Sequence, residues 1–198
     1  MLISHKHKFI KIDIPKAGTT TFIQTLRPLG IVDVLGEPNP GNFYQHASIA
    51  DVEIGFLKNA WDFDKYFKFA VVRNPWVRYT SFLRWMETVD NCLDLSAFKT
   101  RGKFNLGLII KKNPSQDYYL FKNNTLSVDM VGRLENLNKD FAVFCNKVGM
   151  TPIPNLKHSN KSSYKKPYTE YYNQELIDMV AEREKWVIDN FNYDYKSS

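Results

Sequence analysis

The chain is poor in cysteine: Cys92 and Cys145 are the only two in 198 residues. Two thiols so far apart build neither a disulfide framework nor a paired zinc site, so both are expected to be reduced core residues. Long apolar runs are also lacking. None reaches the roughly 18 residues that a membrane-spanning helix needs. The opening "MLISHKHKFIKI" has no apolar signal-peptide core and no cleavage site. A cytoplasmic protein without a membrane partner is the expectation. Internal repeats and low-complexity tracts are absent. So is G-x-x-x-x-G-K-[ST], the pattern of the usual nucleotide triphosphate loop.

What is present suits a folded enzyme-sized core. Apolar residues make up 43% and aromatics 15% of the chain, enough for one domain over residues 1–198. The net charge of +6 favours an anionic partner such as a nucleotide, an acidic polymer, nucleic acid or a membrane surface, or else reflects a solvated basic surface.

Residues 8–14, "KFIKIDI", alternate and predict a first strand. A helix follows from Thr20 to Leu26, ended by Pro28 and Gly30. "GIVDVLG" (30–36) is a short second strand candidate, and "EPNPGN" (37–42) a loop. Ser48 reads as the N-cap of a helix over 49–58, with Asp51 three residues on. "YFKFAVV" (66–72) is a continuous apolar run, as in a strand buried on both faces. Asn74 and Pro75 then open a helix whose apolar stripe is Trp76, Tyr79, Leu83 and Met86. Residues 90–115 predict a short helix and a long basic surface segment. "SVDMVGRL" (127–134) gives another strand, and Leu134, Leu137, Phe141, Cys145 and Val148 a helix capped by Gly149. A polar loop spans 151–168, and Leu176, Val180, Val187 and Phe191 mark one last helix. Strands alternating with helices imply an α/β fold with a central parallel sheet flanked by helices. Ligands of such folds sit beyond the carboxyl ends of the strands.

Two of those strand ends are unusual. In "PKAGTTT" (15–21), Pro15 stops the strand, Gly18 permits a tight turn, and the amides of Gly18 to Thr21 fall at a helix N-terminus. Unpaired N–H groups and the helix dipole attract an anion there, and three hydroxyls and Lys16 reinforce it. An ordinary turn with a Thr cap would explain one Thr, not the whole set. In "RNPWVRYTS" (73–81), Arg73 ends the 66–72 strand where a nucleotide kinase would carry a magnesium-binding carboxylate. That cation predicts a second anion site and no metal. Arg78 and Ser81 lie on roughly one helix face, and Arg with a hydroxyl makes a good phosphate clamp; for Arg73, a structural Arg paired to a carboxylate is the alternative. Two anion sites suggest a nucleoside with phosphate groups at both ends.

"PKAGTTTF" followed by "FAVVRNPWVRYTSF" resembles the sulfotransferases that use 3′-phosphoadenosine 5′-phosphosulfate (PAPS). "VGRLENL" and "NKSSYKKPYTEYYNQELIDMV" are similar to their carbohydrate branch, which includes heparan and chondroitin enzymes and bacterial relatives. The resemblance covers most of the chain and is weakest across 86–115. It implies a P-loop-containing nucleotide-hydrolase-like three-layer fold and a single sulfotransferase domain. It implies that Lys16, Ala17, Gly18, Thr19, Thr20 and Thr21 hold the 5′-phosphosulfate. Arg73 and Ser81 would hold the 3′-phosphate, and Asn160, Lys161 and Ser162 would close over the cofactor. Arg133 and Glu135 read as structural. The product would be adenosine 3′,5′-bisphosphate (PAP), with no metal involved.

Sulfuryl transfer to an alcohol needs a proton acceptor and a cation against the leaving phosphate oxygen. Lys16 fits the second role. Of four histidines, His5 and His7 lie near a terminus expected to be mobile, and His158 lies in the late loop. His46, in "NFYQHASIADV", precedes a helix and is the candidate base, with Asp51 or Glu53 as alternatives. The acceptor needs a free hydroxyl and is expected to be a glycan or other small molecule. Basic stretches at Lys99, Arg101, Lys103, Lys111 and Lys112, and at Lys157, Lys165 and Lys166, would suit an anionic glycan. Tyr44, Trp61, Trp85, Tyr118 and Tyr119 are expected mostly to fill the core, with sugar stacking as the alternative. Two rivals remain at this level: a nucleotide or small-molecule kinase, and a basic nucleic-acid binder. No recognition-helix or zinc-finger pattern supports the second, so no nucleic-acid partner is expected.

Overall fold

The computed structural model describes residues 1–36, 43–157 and 166–196. In chain order the elements are β1 (Leu2–Ser4), β2 (Phe9–Ile12), α1 (Thr19–Leu26), β3 (Val34–Leu35), α2 (Ile49–Lys58), β4 (Phe67–Val72) and α3 (Pro75–Val89). There follow β5 (Lys99–Thr100), β6 (Lys103–Phe104), α4 (Leu106–Lys112), β7 (Phe121–Lys122), β8 (Thr125–Leu126), β9 (Met130–Arg133), α5 (Leu137–Lys147), α6 (Gln174–Arg183) and α7 (Lys185–Phe191). Contacts divide the chain into two units: Met1–Val72 with Tyr118–Lys161, and Arg73–Asp117 with Ser162–Ser198.

The first unit holds a five-stranded sheet in the order β3-β1-β2-β4-β9. β2, β4 and β9 are parallel neighbours, while β1 runs antiparallel to both β2 and β3. The sheet is therefore mostly parallel, with one reversed strand that the alternating pattern does not predict. β4 lies between two neighbours and is buried along nearly its whole length, as its apolar run requires. On one face, Phe22 and Leu26 of α1 and Phe141 and Phe144 of α5 pack on Phe9, Phe69 and Val71. Phe69 stacks on Phe144 with ring centroids 4.6 Å apart. Each such buried ring contributes roughly 1.5–3 kcal/mol of apolar transfer.

Two expectations fail here. The N-terminus is not a loose end: Met1, Leu2 and Ile3 are fully buried, and Leu2 to Ser4 pair with Lys11 to Phe9. His5 is likewise fixed, its Nδ1 lying 2.8 Å from the Tyr66 hydroxyl. A three-residue strand is too short to display a period. Cys92 is exposed rather than in the core, because it falls just past the end of α3, whereas Cys145 is buried. Burial pushes the Cys145 thiol up to about 12.

Local capping follows the sequence. Ser48 and Asp51 form a reciprocal capping box at the start of α2. Gly149 adopts φ +64° beyond α5. The 37–42 loop lies outside the described residues.

The second unit is helical with one small hairpin. Asn74 caps α3, accepting from the amides of Trp76 and Val77, and Pro75 occupies the first helical position. Trp76, Tyr79, Leu83 and Met86 join Ile109, Ile110 and Val180 in its core. Across 90–115 lie the β5–β6 hairpin and α4, with Arg101, Lys103, Lys111 and Lys112 exposed. The single last helix becomes two, α6 and α7. Glu184 leaves helical geometry between them (φ −106°, ψ 20°) and turns its carboxylate into the core. No helix among the described residues is long and apolar enough to cross a membrane.

Candidate active site

The chain leaves β2 through Asp13 and enters the turn that precedes α1. Lys16 is held at φ 66° and Gly18 at φ 88°, both in the left-handed region. That conformation is ordinary for glycine but costs a lysine side chain, so the surroundings must enforce it. Gly18 is favoured by its positive φ, and a Cβ there would also push against the terminal methyl of Leu134 at 2.8 Å. Gly18 is also the N-cap of α1, with no side-chain cap bond, so no Thr plays that part.

Within the turn the donors sort themselves. Ala17 is fully buried and its amide donates to the Ile14 carbonyl, so it packs and offers no donor. The Thr21 amide returns to the Gly18 carbonyl at 3.1 Å. The amides of Gly18, Thr19 and Thr20 make no hydrogen bond to another described residue. Thr19 is 8% exposed, and its Oγ1 is buried with no partner among the described residues. A buried, unpaired hydroxyl beside three open amides at a helix N-terminus is a costly arrangement without an acceptor. An anion with several oxygens supplies one. The donor set therefore fits a phosphosulfate group, narrowed from the expected run to Lys16, Gly18, Thr19 and Thr20, with Thr21 buried behind.

His46 joins this turn from 33 residues away. Its Nδ1 lies 2.8 Å from the backbone oxygen of Asp13. A carbonyl oxygen only accepts, so Nδ1 carries the proton and Nε2 is the basic nitrogen. Burial lowers the His46 pKa, opposed in part by the Asp13 carbonyl and carboxylate. The ring is thus neutral near pH 7 and able to take a proton. The Asp13 carboxylate faces the other way, into a fully buried cluster. It pairs with the Lys11 ammonium and lies 2.9 Å from the α-amino group of Met1. Burial alone would raise its pKa, but these two cations hold it down at about 2.

The alternative bases are engaged elsewhere. Asp51 accepts from Ser48 Oγ and the Tyr44 hydroxyl, both at 2.6 Å, and these bonds more than offset burial and lower its pKa. Glu53 pairs with Lys122 at 2.5 Å. Of the aromatics weighed for sugar stacking, Tyr119 is buried and Trp61 stacks on Phe43, while Tyr118 and Trp85 are 53% and 39% exposed.

In the second unit Arg73 follows directly on β4 and is half-buried, as is Ser81 two turns into α3. Arg78 does not join them. It is fully buried, its Nη1 donating to Glu184 Oε1 at 2.8 Å and its Nη2 to the Pro114 carbonyl. A guanidinium so paired is a core ion pair and not half of a phosphate clamp; helix spacing alone could not reveal the carboxylate 106 residues away. Sequence reasoning also misses Gln116, whose side chain brackets the Arg73 backbone. Its Oε1 accepts from the Arg73 amide and its Nε2 donates to the Arg73 carbonyl, both at 2.9 Å. Asn160, Lys161 and Ser162 lie outside the described residues, as does His158.

Among known families, the sulfotransferase family matches residues 1–196. No curated protein and no solved structure matches the chain.

Proposed function

The chain belongs to the sulfotransferase family, and on that footing we propose that it transfers a sulfuryl group from PAPS to a hydroxyl of a carbohydrate acceptor by in-line displacement. Sulfuryl transfer follows from the family; to it we add PAPS as donor, membership of the carbohydrate branch, a P-loop-like three-layer fold and a single domain over 1–198. The observation that carries it is the turn at 16–20, where the buried Thr19 hydroxyl and three amides stand ready for an anion. When bound there, the donor supplies a sulfuryl group on a phosphate that departs as PAP. The amides of Gly18, Thr19 and Thr20 and the Thr19 hydroxyl hold its 5′ oxygens. Lys16 balances charge on the departing phosphate oxygen. His46 receives the acceptor's hydroxyl proton at Nε2, while Asp13 keeps the ring turned for that task. Arg73 and Ser81 hold the 3′-phosphate, and Asn160, Lys161 and Ser162 close over the nucleotide. Exposed Arg101, Lys103, Lys111 and Lys112 support an anionic acceptor.

Calorimetry without metal tests the donor. The protein should bind adenosine 3′,5′-bisphosphate well ahead of ADP, and Lys16→Ala should abolish detectable sulfation of a glycan acceptor. Preference for ADP with magnesium would replace the reading with phosphoryl transfer. Near-normal kcat in His46→Ala would remove the base.

A further inference from the structure

The Gln116 side chain is neutral, fully buried and bonded at both ends. Its amide captures both backbone groups of one residue, Arg73, as a neighbouring strand would. We infer that Gln116 is the positioning residue of the 3′-phosphate half-site, setting the path of the Arg73 backbone and so the aim of its guanidinium. The inference rests on the proposed role of Arg73.

The amide can be oriented from its partners. Nε2 faces two acceptors, the Arg73 carbonyl at 2.9 Å and Glu184 Oε2 at 3.3 Å. Only the –NH2 end satisfies both, which leaves Oε1 for the Arg73 amide. Gln116 is held in turn: its own amide donates to Glu184 Oε2 at 3.1 Å. Glu184 is fixed by Arg78 at 2.8 Å and by the Tyr79 hydroxyl at 3.0 Å. Just beyond Arg73, the Asn74 cap locks the chain into α3, and its Nδ2 donates to the Asp194 carbonyl at 3.2 Å. Arg73 therefore sits between a strand and a helix cap with its peptide groups clamped from the side. A long, flexible cation gains most from such a clamp, because phosphate recognition by a guanidinium depends on its direction as well as its charge. The amide supplies an acceptor for the Arg73 N–H and donors for the Arg73 carbonyl and Glu184. Glutamate would set a carboxylate against Glu184 and the Arg73 carbonyl.

The test is the preference for a 3′-phosphate, read as the ratio of Kd for adenosine 5′-phosphate to Kd for adenosine 3′,5′-bisphosphate. Gln116→Met matches the volume and removes the two bonds to Arg73 together with the one to Glu184 Oε2. It should cut that ratio at least tenfold while leaving the Kd for adenosine 5′-phosphate within about twofold. Arg73→Ala should remove the ratio altogether, and Gln116→Met added to it should change nothing more. A purely structural Gln116 would lower Tm and leave the ratio of the folded protein intact; that outcome, with the ratio lost in Arg73→Ala, overturns the inference and spares the function. A wild-type chain with no such preference, or an Arg73→Ala variant that keeps it, overturns the role of Arg73 and the inference with it. Should Gln116→Met fail to fold, Gln116→Asn, which keeps the amide but is one methylene short, carries the same test.

Discussion

His46 Nδ1 and the Asp13 carbonyl oxygen lie 2.8 Å apart, a bond that fixes both the tautomer of the ring and which nitrogen is basic. Burial lowers the pKa of this histidine from its ordinary 6.5. The proposed base must be unprotonated to act, so activity should be retained above that lowered value and lost as pH falls through it. The acid limb of kcat/KM against pH should therefore have its midpoint below 6.5. A midpoint above that value would mean that some other group titrates.

The Thr19 hydroxyl separates binding from folding. It is buried without a partner among the described residues, so folding gains nothing from it. Thr19→Val keeps the shape and removes the unpaired polar atom, and its Tm should stay level or rise. A hydrogen bond to a charged group contributes about 1.5–3 kcal/mol. Affinity for adenosine 3′,5′-bisphosphate should accordingly drop roughly ten- to hundredfold, at about 1.4 kcal/mol per factor of ten. Unchanged affinity in calorimetry would take Thr19 out of the site.

The features legible in the sequence are those written locally. Asn74–Pro75 opens α3, Ser48 and Asp51 open α2, and Gly149 follows α5, because each signal and its consequence fall within one helical turn. The turn at 15–21 is legible for the same reason. What escapes is set by distant partners. The sequence separation is 33 residues for His46 and Asp13, 43 for Gln116 and Arg73, and 106 for Arg78 and Glu184. Helix spacing puts Arg78 and Ser81 on neighbouring positions but says nothing of what each meets. A buried Glu184 shows the cost of that blindness. That contact turns Arg78 from an expected ligand into a core residue, and Glu184 lies at the non-helical junction between α6 and α7.

That ion pair should behave as a buried one. Both side chains are fully enclosed, so removing either leaves the other charged and unmatched. Glu184→Ala and Arg78→Met should each destabilise by about 3–5 kcal/mol. The double replacement Arg78→Met/Glu184→Leu should cost clearly less than the sum, because no lone charge remains. Urea unfolding of the four proteins gives the cycle. Additive losses would mean that the two residues act independently.

Asp13 ties the site to acid stability. Its carboxylate is fully buried between Lys11 and the Met1 α-amino group, which hold its pKa at about 2 against an ordinary 3.8. The unfolded chain therefore binds this proton more readily than the folded one. Its contribution is present above 3.8 and is lost as pH falls from there towards 2. Asp13→Asn leaves the buried Lys11 ammonium facing a neutral amide, beside a Met1 α-amino group whose pKa burial lowers, and should destabilise by about 3–5 kcal/mol at pH 7. It should also flatten the fall of unfolding free energy between pH 4 and 2, measured by urea titration at each pH. Since the backbone of Asp13 holds His46, the same variant should lower kcat in protein that remains folded. Full activity together with lost stability would show that the ion cluster supports the fold alone, and that the ring keeps its orientation without it.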